Sequence, residues 1–335
     1  MAFPLRNSRK TECGAIRTLS GLEVRAAPFA LKRAALRLFH SAGGLSAVRF
    51  RYRHGLRILM YHRFPGGESA LEKQLARQCI HLKENYRVLS MREASKLLVN
   101  RDPFPLNAVV LTVDDGHRDF YTGAYPVFQR YGLPVTVYVT TDYLDGRCWL
   151  WFDLIDFLFE HTKQALPGME DAEACKQAAL RMTHEDRIKL IEQLPGLLKV
   201  DLPDFLPEEW APVTWDEVRE MASHGIEFGA HTRTHPILSK LAGPNDVLDE
   251  IEGSKHRVEE ELNTEVLHFC YPNGSRADFA GVIEQVRQAG FRTAVTSEPG
   301  VNRLDTSPYE LKRIGAEPGL DPQYFERRVA GVRVV

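Results

Sequence analysis

Two adjacent carboxylates, Asp114 and Asp115, close the apolar run Val109-Val110-Leu111-Thr112-Val113 and stand directly before Gly116. Like charges side by side at the end of a buried strand are costly unless a cation or a proton separates their roles. Far downstream, His231 and His235 lie four residues apart in Gly229-Ala230-His231-Thr232-Arg233-Thr234-His235, just after the strand-like run Ile226 to Phe228. Each motif alone has an ordinary reading: Asp-Asp-Gly is a common turn, and a His-x-x-x-His pair is commonly two solvated residues. Joined, they offer two imidazoles and a carboxylate with positions left open for water. That is the composition of a catalytic rather than a structural metal centre, and its chemistry is hydrolysis by activated water.

The ordered set of motifs resembles the polysaccharide deacetylases, the carbohydrate esterases of family 4 that share the NodB homology domain. Thr112-Val113-Asp114-Asp115-Gly116 is similar to that family's Thr-Phe-Asp-Asp-Gly, and His231-Thr232-Arg233-Thr234-His235 to its His-Ser/Thr-x-x-His. Further similar phrases are Leu59-Met60-Tyr61-His62, Tyr131 to Val139, Trp215 leading into Ser223-His224-Gly225-Ile226, Phe269-Cys270-Tyr271-Pro272-Asn273-Gly274, Glu298 to Asn302, and Leu311-Lys312-Arg313-Ile314. The resemblance runs from about residue 57 to about residue 317.

The resemblance implies that Asp115, His231 and His235 hold a divalent cation, Zn²⁺ or else Co²⁺, Ni²⁺ or Fe²⁺, all of which suit such a donor set. It implies that Asp114 is the general base and that the backbone N–H of Asn273, after Pro272, helps to hold an oxyanion, with Tyr271 and Pro272 bordering the substrate. Three departures follow from the same resemblance. The family carries Arg at the position of Cys270 and Tyr at that of Asn273, and it often supplies a late His as acid, whereas no His follows His268 here. Arg313 is therefore expected to orient the base, and His62 to protonate the leaving amine, as in the branch acting on poly-N-acetylglucosamine. The implied activity is removal of N-acetyl groups from N-acetylhexosamine units of a bacterial polysaccharide or its precursor. Two other readings stand beside it: a catalytically silent glycan-binding or assembly protein, and a hydrolase of another small amide or ester.

Such residues need a scaffold that delivers them to one place. Runs at Arg57 to Tyr61, Ala108 to Asp114, Val135 to Thr140, Ile226 to Ala230, Val266 to Tyr271, Thr293 to Thr296 and Leu311 to Ile314 read as strands. Helical spacing alternates with them, as in Val247, Ile251, Val258 and Leu262, or Val282, Ile283 and Val286 before Gly290. Alternation of this kind predicts parallel strands, and the resemblance makes the fold an α/β distorted (β/α)7 barrel of NodB type. A helical insertion is expected from Gly146 to Pro212, with Trp149 and Trp151 either stacking on sugar rings or anchoring the inserted helices.

The chain has 335 residues, 44% of them hydrophobic and 26% charged, which suits one barrel-sized domain with an appendage. Up to residue 57 twelve Lys and Arg residues face only Glu12 and Glu23, so residues 1–56 read as a basic, partly helical extension and 57–335 as the deacetylase-like domain. The stretch Pro28 to Phe39 reads as a weakly amphipathic helix, which packs on the barrel or offers contact with a membrane surface or with polysaccharide-synthesis machinery. No nucleic-acid partner is expected. Charged residues interrupt every apolar stretch of this segment, so neither a signal peptide nor a spanning helix is expected. Cys13, Cys79, Cys148, Cys175 and Cys270 show no paired spacing and read as reduced thiols, with Cys270 a small buried filler. The expected location is the cytoplasm or the periphery of the inner membrane.

Overall fold

Apolar runs without polar alternation imply strands covered on both faces, and the computed structural model, which describes residues 44–65 and 68–332, forms them. The strands are β1 (Arg57–Tyr61), β2 (Arg87–Leu89), β3 (Ala108–Val113), β4 (Thr136–Val139), β5 (Glu227–Ala230), β6 (His268–Cys270), β7 (Thr293–Pro299) and β8 (Leu311–Gly315). All pair in parallel. The order is β1-β8-β7-β6-β5-β4-β3-β2, and β1 pairs with β3 as well as with β8. Seven strands thus close a barrel, while β2 hangs on the outside of the ring beside β3. All seven barrel strands coincide with expected runs. β2 was not expected: three residues, Arg87-Val88-Leu89, are too few to show a period.

Successive side chains of a strand point to opposite faces, and the core divides accordingly. Leu59, Tyr61, Val109, Leu111 and Val113 join the large cluster under the surrounding helices. Ile58, Val110, Tyr138, Cys270, Val295 and Leu311 join a second cluster with Met91, Ala94 and Leu98 of the helix Met91–Asn100. That helix starts at a capping box in which Ser90 and Glu93 satisfy each other's backbone donors. Helix Trp215–Ser223 starts the same way on Thr214 and Glu217, and helix Pro244–Leu262 buries Val247, Ile251 and Val258 on one stripe.

Between β4 and β5 the chain leaves the barrel. Helices Trp151–His161, Ala172–Arg181 and His184–Leu198 bury a core of their own, including Trp151, Leu154, Leu158, Cys175, Leu194 and Trp210. At the other end of the sequence, helix Gly44–Arg51 packs on helix Pro322–Ala330, and the buried Arg57 guanidinium donates to the carbonyl of Val329 at 2.7 Å. The expected helix over Pro28 to Phe39 lies outside the described residues. Among the described residues no helix is long and apolar enough to cross a membrane, and Cys79, Cys148, Cys175 and Cys270 are free thiols.

Candidate active site

The barrel brings the residues singled out in the sequence to the C-terminal ends of its strands, where such barrels place reactive groups. His62 follows β1, Asp114 and Asp115 follow β3, His231 and His235 follow β5, Tyr271 to Asn273 follow β6, and Arg313 lies in β8. All of these except Pro272 line, with Met60, Arg63, His117 and Ser297, a cleft of about 540 Å³.

The turn after β3 explains the Asp-Asp-Gly order. Asp114 continues the strand, its N–H donating to the carbonyl of Tyr61 at 3.0 Å. Asp115 then turns to φ 76° and Gly116 to φ 93°. Positive φ favours glycine at Gly116, and a Cβ there would also sit 2.9 Å from Leu144 Cδ1, which would have to shift. Among the described residues eight non-glycine residues take left-handed backbone; three of them, Asp115, His235 and Asn273, line this cleft, and a fourth, Thr232, follows His231. Strain of this kind persists where the surrounding structure holds side chains in place for use.

The two carboxylates have different company. Asp114 receives a bidentate pair from Arg313, Nη1 to Oδ1 at 2.7 Å and Nη2 to Oδ2 at 2.6 Å. Arg313 is itself buried and held by the carbonyl of Thr296 (2.7 Å) and the hydroxyl of Thr112 (3.2 Å). Burial alone would raise the Asp114 pKa; the guanidinium outweighs it and holds the carboxyl below its ordinary value. His62 Nε2 lies 3.6 Å from Asp114 Oδ2, and its side chain is 46% exposed at the cleft mouth. Cys270 Sγ is 3.2 Å from Arg313 Nη2, and its small side chain leaves the space this arginine fills.

Asp115 Oδ1 instead lies 3.4 Å from His231 Nε2 and 3.6 Å from His235 Nε2, and all three residues are buried. His231 Nδ1 donates to the carbonyl of Cys270 at 2.7 Å and Nε2 faces Asp115; burial pulls the ring's pKa down, but Cys270 and Asp115 outweigh it and hold it well above the ordinary value, so a cation bound there would displace the Nε2 proton. Burial and the neighbouring His231 push His235 down to about 3, so its imidazole is neutral at physiological pH. The donor atoms of Asp115, His231 and His235 all lie within 4.8 Å of one another. A neutral imidazole, a second imidazole with its far nitrogen anchored, and an ionised carboxylate turned toward one point form the donor set of a three-ligand divalent cation site. Asp114, His231 and Cys270 make a second close group, but the Arg313 guanidinium bound to both oxygens of Asp114 and 3.2 Å from the thiol puts a positive charge there that disfavours a cation.

Around this centre, Tyr271 donates its hydroxyl to the carbonyl of Tyr309 at 3.1 Å. Pro272 is buried between Tyr271 and Asn273, and its carbonyl accepts from Gly274 N–H. Asn273 Nδ2 is buried with no acceptor, a free donor at the cleft wall.

Of the two readings of Trp149 and Trp151, the packing fits anchoring of the inserted helices rather than stacking on sugar rings. Neither lines the cleft: Trp151 is buried in the inserted core, and Trp149 packs on Phe157 with ring centroids 5.1 Å apart. Helical spacing turns their neighbour Phe152 toward the cleft instead, 5.1 Å from the His235 ring, and the segment also contributes Asp153, Asp156 and Trp210. His117, likewise unforeseen, is buried with Nε2 bonded to Asp153 Oδ2 at 2.6 Å. A histidine directly after the Asp-Asp-Gly turn was the available signal for it; its partner, remote in sequence, gave none.

Comparison with known proteins places this geometry. The family model described as polysaccharide deacetylase matches residues 101–294. The Bacillus subtilis (strain 168) protein YxkH, named for the polysaccharide deacetylases, is 24% identical over 273 residues, covering 81% of this chain and 74% of that protein. A poly-β-1,6-N-acetyl-D-glucosamine N-deacetylase of Escherichia coli (strain K12) is 39% identical over 67 residues, 20% of this chain and 9% of that protein. Among solved structures, the Streptococcus pyogenes deacetylase PplD in complex with acetate superposes with a TM-score of 0.55 at 21% identity, covering 83% of this chain and 99% of that one. IcaB from Ammonifex degensii gives 0.52 at 19% identity, covering 83% and 96%. The two superpositions show a shared fold.

Proposed function

The chain belongs to the polysaccharide deacetylase family of hydrolases, and from that premise we propose that it removes N-acetyl groups from N-acetylhexosamine units of a bacterial polysaccharide or its precursor, with a divalent cation held by Asp115, His231 and His235. The observation that carries the reading is the division of labour between neighbours: Asp114 locked to Arg313, Asp115 turned to two imidazoles. The short stretch shared with the poly-N-acetylglucosamine deacetylase supports the hexosamine substrate.

A cation in that donor set supplies a water of lowered pKa and polarises the acetyl carbonyl. Asp114 accepts the proton of the attacking water, and its ionised state at neutral pH is secured by Arg313. Both Asp114 oxygens accept from Arg313, yet each carboxylate oxygen keeps a further lone pair for that proton. The developing oxyanion faces donors at Asn273, whose backbone N–H and unpartnered Nδ2 are the candidates. When the C–N bond breaks, His62 gives a proton to the departing amine; its place beside Asp114 at the open cleft mouth supports that role. Acetate and a free hexosamine amine result.

Mass spectrometry of poly-N-acetylglucosamine oligomers incubated with the protein tests the reading. Stepwise loss of acetyl groups, abolished in Asp114→Asn, is expected. Unchanged oligomers alongside hydrolysis of a chromogenic acetyl ester would redirect the activity to another small amide or ester, and inertness toward both would leave a binding protein.

A further inference from the structure

Two buried polar groups of the cleft, His117 and Asp153, have no part in the steps above. His117 is 1% exposed and follows the Asp-Asp-Gly turn. Its Nε2 is fixed by Asp153 Oδ2 at 2.6 Å, while Nδ1 is buried with no hydrogen-bond partner and lies 3.9 Å from Asp115 Oδ2. The two oxygens of Asp115 are thus distinguished: Oδ1 faces the imidazoles of His231 and His235, and Oδ2 faces His117. Asp153 belongs to the first turn of helix Trp151–His161, the opening helix of the inserted segment, and is 4% exposed. The Tyr143 ring closes on His117 edge-on with centroids 5.6 Å apart, so the imidazole has no freedom to swing away.

We infer that Asp153, acting through His117, is a positioning residue for the cation-holding carboxylate, so that the inserted segment completes the metal site rather than merely flanking it. The inference rests on the reading of Asp115, His231 and His235 as a cation site. Physically, Asp153 fixes the ring, the ring packs against Asp115 Oδ2, and the carboxylate is restrained from turning Oδ1 away from the imidazole pair. Partners of this kind behind a ligand commonly change metal affinity by about 10- to 100-fold when removed. The sequence separates the three residues into a strand-end motif and an insertion, which is why only the folded chain reveals the link.

The test is Zn²⁺ affinity of the full-length protein, measured by competition with a chromogenic chelator, for wild type, Asp153→Asn, His117→Gln and Lys240→Ala. Lys240 also ties the barrel to the insertion, its Nζ donating to the carbonyl of Met182 at 2.7 Å, but lies apart from the cleft. Asp153→Asn and His117→Gln should each raise the Zn²⁺ Kd about tenfold or more and alter the visible spectrum of the Co²⁺-loaded protein. Lys240→Ala should move neither. Affinities of both His117→Gln and Asp153→Asn within about twofold of wild type would overturn the inference, as would an equal loss in Lys240→Ala, which would mean general loosening of the insertion. If Asp153→Asn fails to fold, His117→Gln decides alone, because it leaves the helix and its core untouched. A wild-type protein that binds no Zn²⁺, Co²⁺, Ni²⁺ or Fe²⁺ would instead overturn the cation site itself.

Discussion

The barrel holds a largely buried carboxylate against histidine at each of its ends, and the two differ in their surroundings. At the N-terminal end, Glu227 opens β5 and His268 opens β6, with Nε2 and Oε1 3.3 Å apart. The far sides of that pair are held: Glu227 Oε2 accepts from the Arg92 N–H (3.1 Å) and the Thr136 hydroxyl (3.2 Å), His268 Nδ1 meets the Thr293 hydroxyl at 2.8 Å, and Glu227 Oε1 also lies 3.4 Å from Arg92 Nε. The backbone there is regular strand. At the C-terminal end, Asp115 meets His231 and His235 at similar distances, but from left-handed backbone, beside a cleft, with ring nitrogens turned inward. Similar residue types therefore make a rivet at one end and a receptacle at the other. The difference lies in how many other groups satisfy the carboxylate, and in whether strand geometry or a strained turn presents it.

The largest effect should come from opening the receptacle. Asp115→Asn or His235→Ala removes a cation donor, and deacetylation should fall by about a thousandfold or more, while thermal unfolding of the metal-free protein stays near wild type. Measured Zn²⁺ binding should vanish in parallel.

Next is the neighbour that the receptacle depends on. Arg313→Met strands Asp114 as an uncompensated buried charge, at a cost of about 3–5 kcal/mol in unfolding free energy. Turnover should fall about a hundredfold or more, the usual scale for general-base catalysis. The sign with pH follows from the environment. Arg313 holds Asp114 below its ordinary value against burial, which acts the other way. Without the guanidinium, burial dominates and the carboxyl titrates higher, so the acid limb of the pH–rate profile should shift upward. An unshifted limb would separate Asp114 from the catalytic base.

A smaller and more selective effect belongs to His62. His62→Ala should lower kcat on N-acetylated oligomers by about a hundredfold and spare an activated aryl acetate, whose leaving group needs no proton. Equal losses on both substrates would contradict the acid role.

The rivet should give the smallest response and leave chemistry alone. Glu227→Gln should cost about 1–3 kcal/mol of stability and leave kcat/KM within about twofold. Burial raises the Glu227 pKa, but the His268 and Arg92 contacts outweigh it and hold the carboxyl below its ordinary 4.5. Its stabilising contribution is therefore complete above that value and is lost as pH falls through the depressed one. Denaturant unfolding of wild type should weaken over that acidic range, and Glu227→Gln should flatten that part of the dependence.

Much of this was legible in the chain. The seven barrel strands announce themselves because burial on both faces makes them continuous apolar runs, and the active-site groups because carboxylates and imidazoles at strand ends are costly without a use. Arg313 could be nominated only through a missing partner elsewhere, and its bidentate grip on Asp114 depends on the space left by Cys270, a relation between β8 and β6 that no local pattern carries. The inserted segment was least readable. An aromatic cluster declares that rings are buried, not which one turns to the cleft, so the sequence left stacking and anchoring open for Trp149 and Trp151 and did not point to Phe152 and Trp210. Asp153 and His117 were invisible as a pair for the same reason: their meeting is made by tertiary packing alone.

The central claim, that Asp115, His231 and His235 hold the cation while Asp114 moves the proton, is tested most directly by one titration. Chelator-treated wild type and Asp114→Asn are each given increasing Zn²⁺ while bound metal and acetate released from N-acetylglucosamine oligomers are both measured. Both proteins should bind one equivalent with similar affinity, wild-type acetate release should rise in proportion to bound metal, and Asp114→Asn should release almost none. Acetate release by the chelated wild type, or undiminished release by Asp114→Asn, would contradict the claim.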